Sequence, residues 1–126
     1  NQELADELTG KGRRYTIFLG AIFSLLKELA NDPAAARTAL WVISQRQREI
    51  KRNRNWLVTR LLAGAKHHTA REGLQRLEMV LGKLQALEVI ERVEECVYAP
   101  QSRNSGSLLV ITKAEKWHLA KARVAT

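Results

Sequence analysis

The strongest chemical signal in this sequence is a concentration of cationic side chains in its middle third. Residues 45–87 hold ten Lys and Arg side chains against three Glu, which leaves a net charge of +7 over 43 residues. The preceding stretch, 1–44, is neutral, and the following stretch, 88–98, has a net charge of −3. Cations confined to one stretch predict a surface that meets a polyanion, and nucleic acid is the expected one. The alternative interpretation is a solvated helix face, which explains most charge runs.

Other residue types capable of chemistry are few and poorly spaced. His67 and His68 are neighbours on a turn and point apart, and no third ligand lies at metal-binding spacing. Cys96 is predicted to be a buried, inert thiol on a strand. The sequence contains no glycine-rich phosphate loop and no Ser-His-Asp or paired-carboxylate arrangement. We therefore expect neither an enzyme nor a protein that carries a metal or another cofactor.

Length and composition fit one soluble domain. The 126 residues predict a single domain over 13–126, preceded by an extension or short helix over 1–12. A hydrophobic content of 45% with 27% charged residues excludes a disordered or fibrous chain. The single cysteine suits a reducing compartment, so we expect a cytoplasmic, bacterial-type, nucleoid-associated protein. The chain starts at Asn1 and its only methionine is Met79, which predicts a piece of a longer protein.

The elements that position the cations are predicted from periodicity and from helix-capping residues. Apolar residues repeat every three or four positions up to about residue 87, which indicates helices. Asp32-Pro33 is a helix start, Asn55 is a plausible N-cap, and Thr69 and Thr112 each open a capping box with a Glu three positions later. The predicted elements are helices at about 15–30, 33–51, 56–66 and 70–87, a β-hairpin at about 89–111 and a C-terminal helix at about 113–124.

Two segments in the second half of the chain carry a likeness to a known family. They are LQALEVIERV at 84–93 and LVITKAEK at 109–116. With the order of helices and hairpin, they resemble a winged helix-turn-helix domain, whose recognition helix leaves through L-x-x-L-G-L-I-x-R and whose return strand reads V-x-L-T-x-K-G in MarR- and PadR-type regulators. The resemblance covers about half of the chain and implies a mainly α fold with a small β-hairpin (α+β). Glu88 stands where the family usually has glycine, so the helix must end differently.

The resemblance implies that the 70–87 helix enters the major groove of DNA, with the 99–106 wing on the backbone or in the minor groove. Opposite the leucine stripe of that helix, Arg76 can bond guanine, Gln75 can pair with adenine and Met79 can touch a thymine methyl group. The complete set of expected DNA-binding residues is Arg71, Gln75, Arg76, Met79, Lys83, Arg103, Asn104, Arg46, Arg52 and Arg54.

The expected function is duplex DNA binding in transcription regulation or in plasmid or phage replication, partition or transfer. The alternative is a winged-helix protein-interaction or scaffold subunit of a chromosome-organising or other complex. The central net charge favours DNA, because the alternative does not require it. We also expect a homodimer, since the helix around Ile17–Leu29 is apolar over too wide an arc for one side of a small domain.

Overall fold

The computed structural model describes residues 11–62, 69–97 and 107–125. The elements are α1 (Lys11–Glu28), α2 (Pro33–Ser44), β1 (Glu49–Asn53), α3 (Arg54–Leu61), α4 (Ala70–Ala86), β2 (Ile90–Val97), β3 (Ser107–Lys113) and α5 (Glu115–Ala125). Within these ranges the protein is mainly helical with a small antiparallel sheet, so the α+β class is confirmed. None of the helices described is long and apolar enough to cross a membrane.

The core is one cluster of buried apolar side chains that joins the helices to the sheet. Leu77 and Leu81 of α4 line a pocket together with Leu109 of β3, so the sheet packs against the inner side of this helix. On another side of the domain α1 packs against α5, and the rings of Phe18 and Trp117 meet edge to face, with their centroids 6.2 Å apart.

The start of α2 is as predicted, but its end is not. Asp32 is the N-cap and accepts a hydrogen bond from the amide of Ala35, and Pro33 occupies the first turn. The predicted continuation to residue 51 is wrong, because the helix ends at Ser44 and the residues after a short connection form β1. Ile50, which fits the helical apolar stripe, is instead buried in the sheet opposite Ile111. Pairing with a distant strand outweighs the local helical pattern.

The sheet has three strands in the described residues, in the order β1-β3-β2, where a two-stranded hairpin was predicted. The third strand is β1, which pairs antiparallel with β3. β3 runs on to Lys113, so Thr112 lies in the strand, buried and with its hydroxyl unpartnered. The predicted capping box at Thr112 is therefore wrong, and α5 begins at Glu115.

Of the helices α3 and α4, the start of α4 is where it was predicted and the start of α3 is not. α3 begins at Arg54 with Asn53 as its N-cap, two residues earlier than the predicted Asn55. α4 begins after Thr69, whose hydroxyl accepts from the amide of Glu72 at 3.1 Å, which is the first of the two bonds of the predicted capping box. Residues 63–68 lie outside the described residues; they include the end of the predicted third helix and most of the turn after it.

α4 ends without glycine. Glu88 itself adopts the left-handed conformation, with φ of 60°. The amide of Val89 donates to the carbonyl of Leu84 at 2.9 Å, and the amide of Glu88 donates to the carbonyl of Gln85 at 3.1 Å. These two bonds form a Schellman motif, and Val89 and Leu84 both belong to the buried core. The helix end that usually requires a glycine is thus built here on a glutamate.

Candidate nucleic-acid interface

The outward face of α4 is made of side chains three and four positions apart. Gln75, Arg76 and Met79 are all exposed, whereas Leu77 on the opposite side is buried. Met79 is 75% exposed, the largest fraction for a large apolar side chain in the described ranges. A Cβ at Gly82, one turn from Met79, would meet no atom within 4 Å other than its chain neighbours and the backbone of its own helix. The face is therefore open to a ligand along its length and carries a guanidinium, an amide and a thioether.

The N-terminal end of α4 adds a cation near free backbone amides. Arg71 is exposed and has no ion-pair partner among the residues that the structure describes. The first turn of a helix offers unbonded amides and the positive end of the helix dipole, both of which favour an anion. His67 and His68, just before this turn, lie outside the described residues.

Lys83, the last cation of the α4 face, is held by a carboxylate. Its Nζ lies 3.3 Å from Oδ2 of Asp32, the N-cap of α2. Burial acts to raise the pKa of Asp32, but the hydrogen bonds from the Ala35 amide and from Lys83, with the charges of Lys83 and Arg76, lower the pKa overall. Lys83 thus links α4 to the start of α2, and Arg76 lies within the electrostatic reach of the same carboxylate.

Two cations that flank β1 are paired with glutamates of β2. Arg54 Nη1 lies 3.1 Å from Oε1 of Glu95, and Arg54 Nη2 lies 4.0 Å from Oε1 of Glu78 on α4. Arg48 Nη2 lies 3.0 Å from Oε1 of Glu91. The basic middle third and the acidic stretch that follows it therefore meet in space. Part of the net charge counted along the sequence is neutralised around β1.

Arg52 makes cation–π contacts with two tryptophans. Its Cζ lies 5.8 Å from the ring centroid of Trp41 and 5.5 Å from that of Trp56. The two indoles are themselves 5.8 Å apart and tilted by 47°. Arg52 Nη1 also donates to the carbonyl of Lys51 at 2.7 Å. We call Trp41, Arg52 and Trp56 the indole–arginine stack; it is partly exposed, with Trp56 at 39%.

The remaining residues predicted to bind DNA either lie away from α4 or fall outside the described residues. Arg46 is exposed next to Lys113, at the end of the sheet opposite the connection between β2 and β3. Arg103 and Asn104 belong to that connection and lie outside the described residues. Cys96 is exposed, so its predicted burial is wrong, because β2 turns this side chain away from the face that carries Val93. In the described part of the chain, no group of three or more His, Cys, Asp or Glu could hold a metal ion.

One functional group was missed by the sequence reasoning, the amine of Lys113. This side chain is fully buried. Burial, and then the charge of Lys121, lower the pKa of the Lys113 amine from 10.5 to about 8. The signal was present in β3, since positions 109, 111 and 113 share one face and Leu109 and Ile111 are core residues. A lysine is rarely fully buried without a partner, and here the amine donates to the carbonyl of Gln45.

The architecture is compatible with a winged helix in its order of elements and in its sheet. A helix, a strand, two helices and two further strands follow one another from α2 to β3, and the sheet order is β1-β3-β2. The helix pair α1 and α5 flanks this unit. Comparison of the chain with protein-family models, with curated proteins and with solved structures gives no match.

Proposed function

We propose that this chain is a winged helix that binds duplex DNA, with α4 in the major groove. The observation that carries the proposal is the outward face of α4. Met79 is 75% exposed there, and Gln75 and Arg76, one turn earlier on the same face, are also exposed. An apolar side chain this exposed contributes little to folding, and its neighbours are the two side-chain types that bond purine edges. The order of elements supports the same docking, since a winged helix presents this helix to DNA.

The roles proposed for the α4 face follow from the chemistry of base edges. The Arg76 guanidinium donates two hydrogen bonds to guanine, the Gln75 amide pairs with adenine, and Met79 contacts a thymine methyl group. Arg71 and the first turn of α4 contact phosphate. In the connection between β2 and β3, Arg103 and Asn104 contact the backbone or the minor groove.

The cations around β1 have a smaller part in this proposal than their number suggests. Arg54 already bonds a carboxylate, and the Arg52 guanidinium lies over two indoles. On α4, Lys83 also bonds a carboxylate. A cation with a protein partner contributes less to phosphate neutralisation, because releasing the partner offsets part of the gain. Arg46 lies at the far end of the sheet and is left out of the proposed contact surface.

The proposal includes a homodimer formed through α1. Tyr15, Ile17 and Phe23 are 50%, 63% and 66% exposed, so α5 covers only part of this helix. A second copy would bury the same side chains on both sides of a two-fold axis. It would also place two α4 helices about one turn of DNA apart, roughly 34 Å. Sedimentation that finds only monomer at micromolar concentration, with and without DNA, would contradict the dimer.

The biological settings proposed are transcription regulation, or plasmid or phage replication, partition or transfer. One observation favours the second candidate, a protein-interaction or scaffold subunit. The indole–arginine stack combines Trp and Arg, which are among the residue types enriched at the energetic centres of protein interfaces. Leu40, which precedes Trp41 in the chain, is 40% exposed.

A titration of labelled duplex DNA at several salt concentrations tests the DNA proposal. Binding should weaken steeply as salt rises, because phosphate neutralisation releases counterions. Arg76→Ala should cost about 1–3 kcal/mol on a preferred site and flatten the sequence preference. Arg103→Ala should weaken all sequences equally and lower the salt slope by about one.

Lys116→Ala is the matched control, since Lys116 is exposed on α5, outside both α4 and the proposed dimer helix, and its removal changes the charge equally. It should bind DNA like the parent chain, and melting temperatures should be unchanged in all three variants. A folded protein with no binding at low salt would reject the DNA proposal and leave the indole–arginine stack as the surface to test for protein partners.

A further inference from the structure

The indole–arginine stack belongs to a larger surface made by α2, β1 and α3. Leu40 and Trp56 are exposed large apolar side chains of this surface. Arg37 is exposed one turn before Trp41 on α2, and side chains four positions apart share a helix face. By the same spacing, the exposed side chain of Arg60 lies on the face of α3 that carries Trp56. We call the whole set the stack surface; its residues are Arg37, Leu40, Trp41, Arg52, Trp56 and Arg60.

Contacts between the elements hold the stack surface together. The rings of Trp41 and Trp56 are 5.8 Å apart, and the Arg52 guanidinium contacts both. Arg37 Nη1 donates to the carbonyl of Leu61, the last residue of α3, at 3.2 Å. The two helices and β1 therefore present one continuous surface. A partner would not have to order the indoles, which lowers the entropic cost of binding.

The stack surface carries positive charge that the surrounding sequence does not neutralise. Between residues 33 and 71 the chain contains a single acidic residue, Glu49. Glu49 is three positions before Arg52 on β1, so the two side chains point to opposite faces of the sheet. Within the described residues, Arg52 bonds a backbone carbonyl and no carboxylate. Arg60 has no hydrogen bond or ion pair in the same ranges.

The combination of exposed apolar and cationic side chains indicates the chemistry of a partner. Large apolar side chains gain free energy when a partner removes them from water. The outside of duplex DNA is its charged backbone, which can bond arginines but gives Leu40 and Trp56 no apolar cover. A protein segment with carboxylates beside apolar side chains matches both features of the stack surface.

We propose that the stack surface binds a partner protein through a segment in which Asp or Glu side chains lie beside large apolar side chains. The apolar side chains of the partner cover Trp56 and Leu40 and supply most of the affinity. The carboxylates bond Arg60 and the remaining donors of Arg52, which fixes the orientation of the segment. The inference rests on the second candidate function given above and not on DNA binding, since no residue of the stack surface belongs to α4.

Selection of random linear peptides displayed on phage, with the parent chain as the target, tests the proposal without a known partner. The enriched peptides should carry Asp or Glu beside Leu, Ile, Phe or Tyr. Fluorescence anisotropy with labelled synthetic copies of these peptides then measures the affinities. Trp56→Ala and Leu40→Gln should each raise the Kd about tenfold or more. Arg60→Gln should raise the Kd and reduce its dependence on salt.

Two variants of α5 are the matched controls. Leu119→Ala removes an apolar side chain as exposed as Trp56, and Lys116→Gln removes one exposed positive charge. Both should bind the peptides like the parent chain. Melting temperatures show whether each variant is folded, and Leu40→Gln and Arg60→Gln keep the test open if Trp56→Ala is not.

The outcomes separate this inference from the candidate function on which it rests. Enriched peptides that depend on Trp56 but carry no acidic residue would overturn the acidic partner and keep the stack surface as a protein-binding site. No enrichment, or peptides that bind all folded variants equally, would overturn both. Binding of an oligothymidylate that Trp56→Ala abolishes, with no peptide enriched, would show that the surface stacks nucleic-acid bases instead.

Discussion

The helices α2 and α4 end in different ways. The last carbonyls of α2 accept hydrogen bonds from Lys113 and Lys121, which arrive from far along the chain. The last carbonyls of α4 are used by the residues that follow directly, as in the 2.9 Å bond from the amide of Val89 to Leu84. The first end depends on the assembled tertiary structure and on a buried charge. The second depends on local backbone geometry, so substitutions at the two ends should have different signatures.

The largest expected effect is a pH dependence that comes from the end of α2. The pKa of Lys113 is about 8 in the folded chain against 10.5 as the reference, so the unfolded chain binds more protons between these values. The free energy of unfolding should therefore rise as the pH increases from about 8 to about 10.5, by about 3 kcal/mol. Below pH 8 the Lys113 amine is protonated in both states, so the folded state carries the full free-energy cost of burying an ammonium group.

Urea denaturation across this pH range, of the parent chain and of Lys113→Met, measures the effect. Other lysines and tyrosines titrate in both proteins, so the difference between the two stability curves isolates Lys113. Parallel curves would mean that the amine is hydrated and that α2 does not end on a buried charge.

A smaller effect is expected at the start of α4. Thr69→Ala removes the hydroxyl that accepts from the amide of Glu72 and should lower the free energy of unfolding by about 1 kcal/mol. Thr69→Ser keeps the acceptor and should be close to the parent chain. Both values should be independent of pH between 7 and 10, in contrast to Lys113. An equal loss in the serine variant would show that the threonine methyl group, and not the cap, stabilises this end.

The smallest effect is a gain at the end of α4. Glu88→Gly relieves the positive φ of 60° and should raise the free energy of unfolding by about 0.5–1 kcal/mol. Glu88→Ala is the control, because it also removes the exposed ion pair with Lys116 but keeps the backbone strain. Chemical denaturation should order the stabilities as glycine above alanine. Equal stabilities would show that the left-handed residue costs nothing here.

The same contrast explains how much of the fold could be predicted. The bounds of α4 were accessible because its cap at Thr69 and its apolar stripe are local signals. β1 was not, since Glu49–Asn53 contains a single apolar residue and becomes a strand only by pairing with β3 about 60 positions later. The length of α2 was overestimated for the same reason.

In the candidate site, too, the features set by local sequence could be predicted and those set by tertiary contacts could not. The exposure of Gln75, Arg76 and Met79 follows from helical periodicity and was predicted. The pairing of Arg54 with Glu95 joins residues 41 positions apart, so a charge count along the sequence could not include it. Local patterns identify which face of a helix is exposed, but only the assembled structure shows which charges on the surface remain available.

The edges of the sheet carry many charged side chains. Within the described residues its outer strands are β1 and β2, and each edge strand has backbone groups that another chain could pair with. Both are rich in charged side chains, with the sequences EIKRN and IERVEECV. Such charges discourage the addition of further strands and the growth of fibrils. The dimer proposed above is compatible with such edges, because it uses the exposed apolar side chains of α1 and not the edge of a strand.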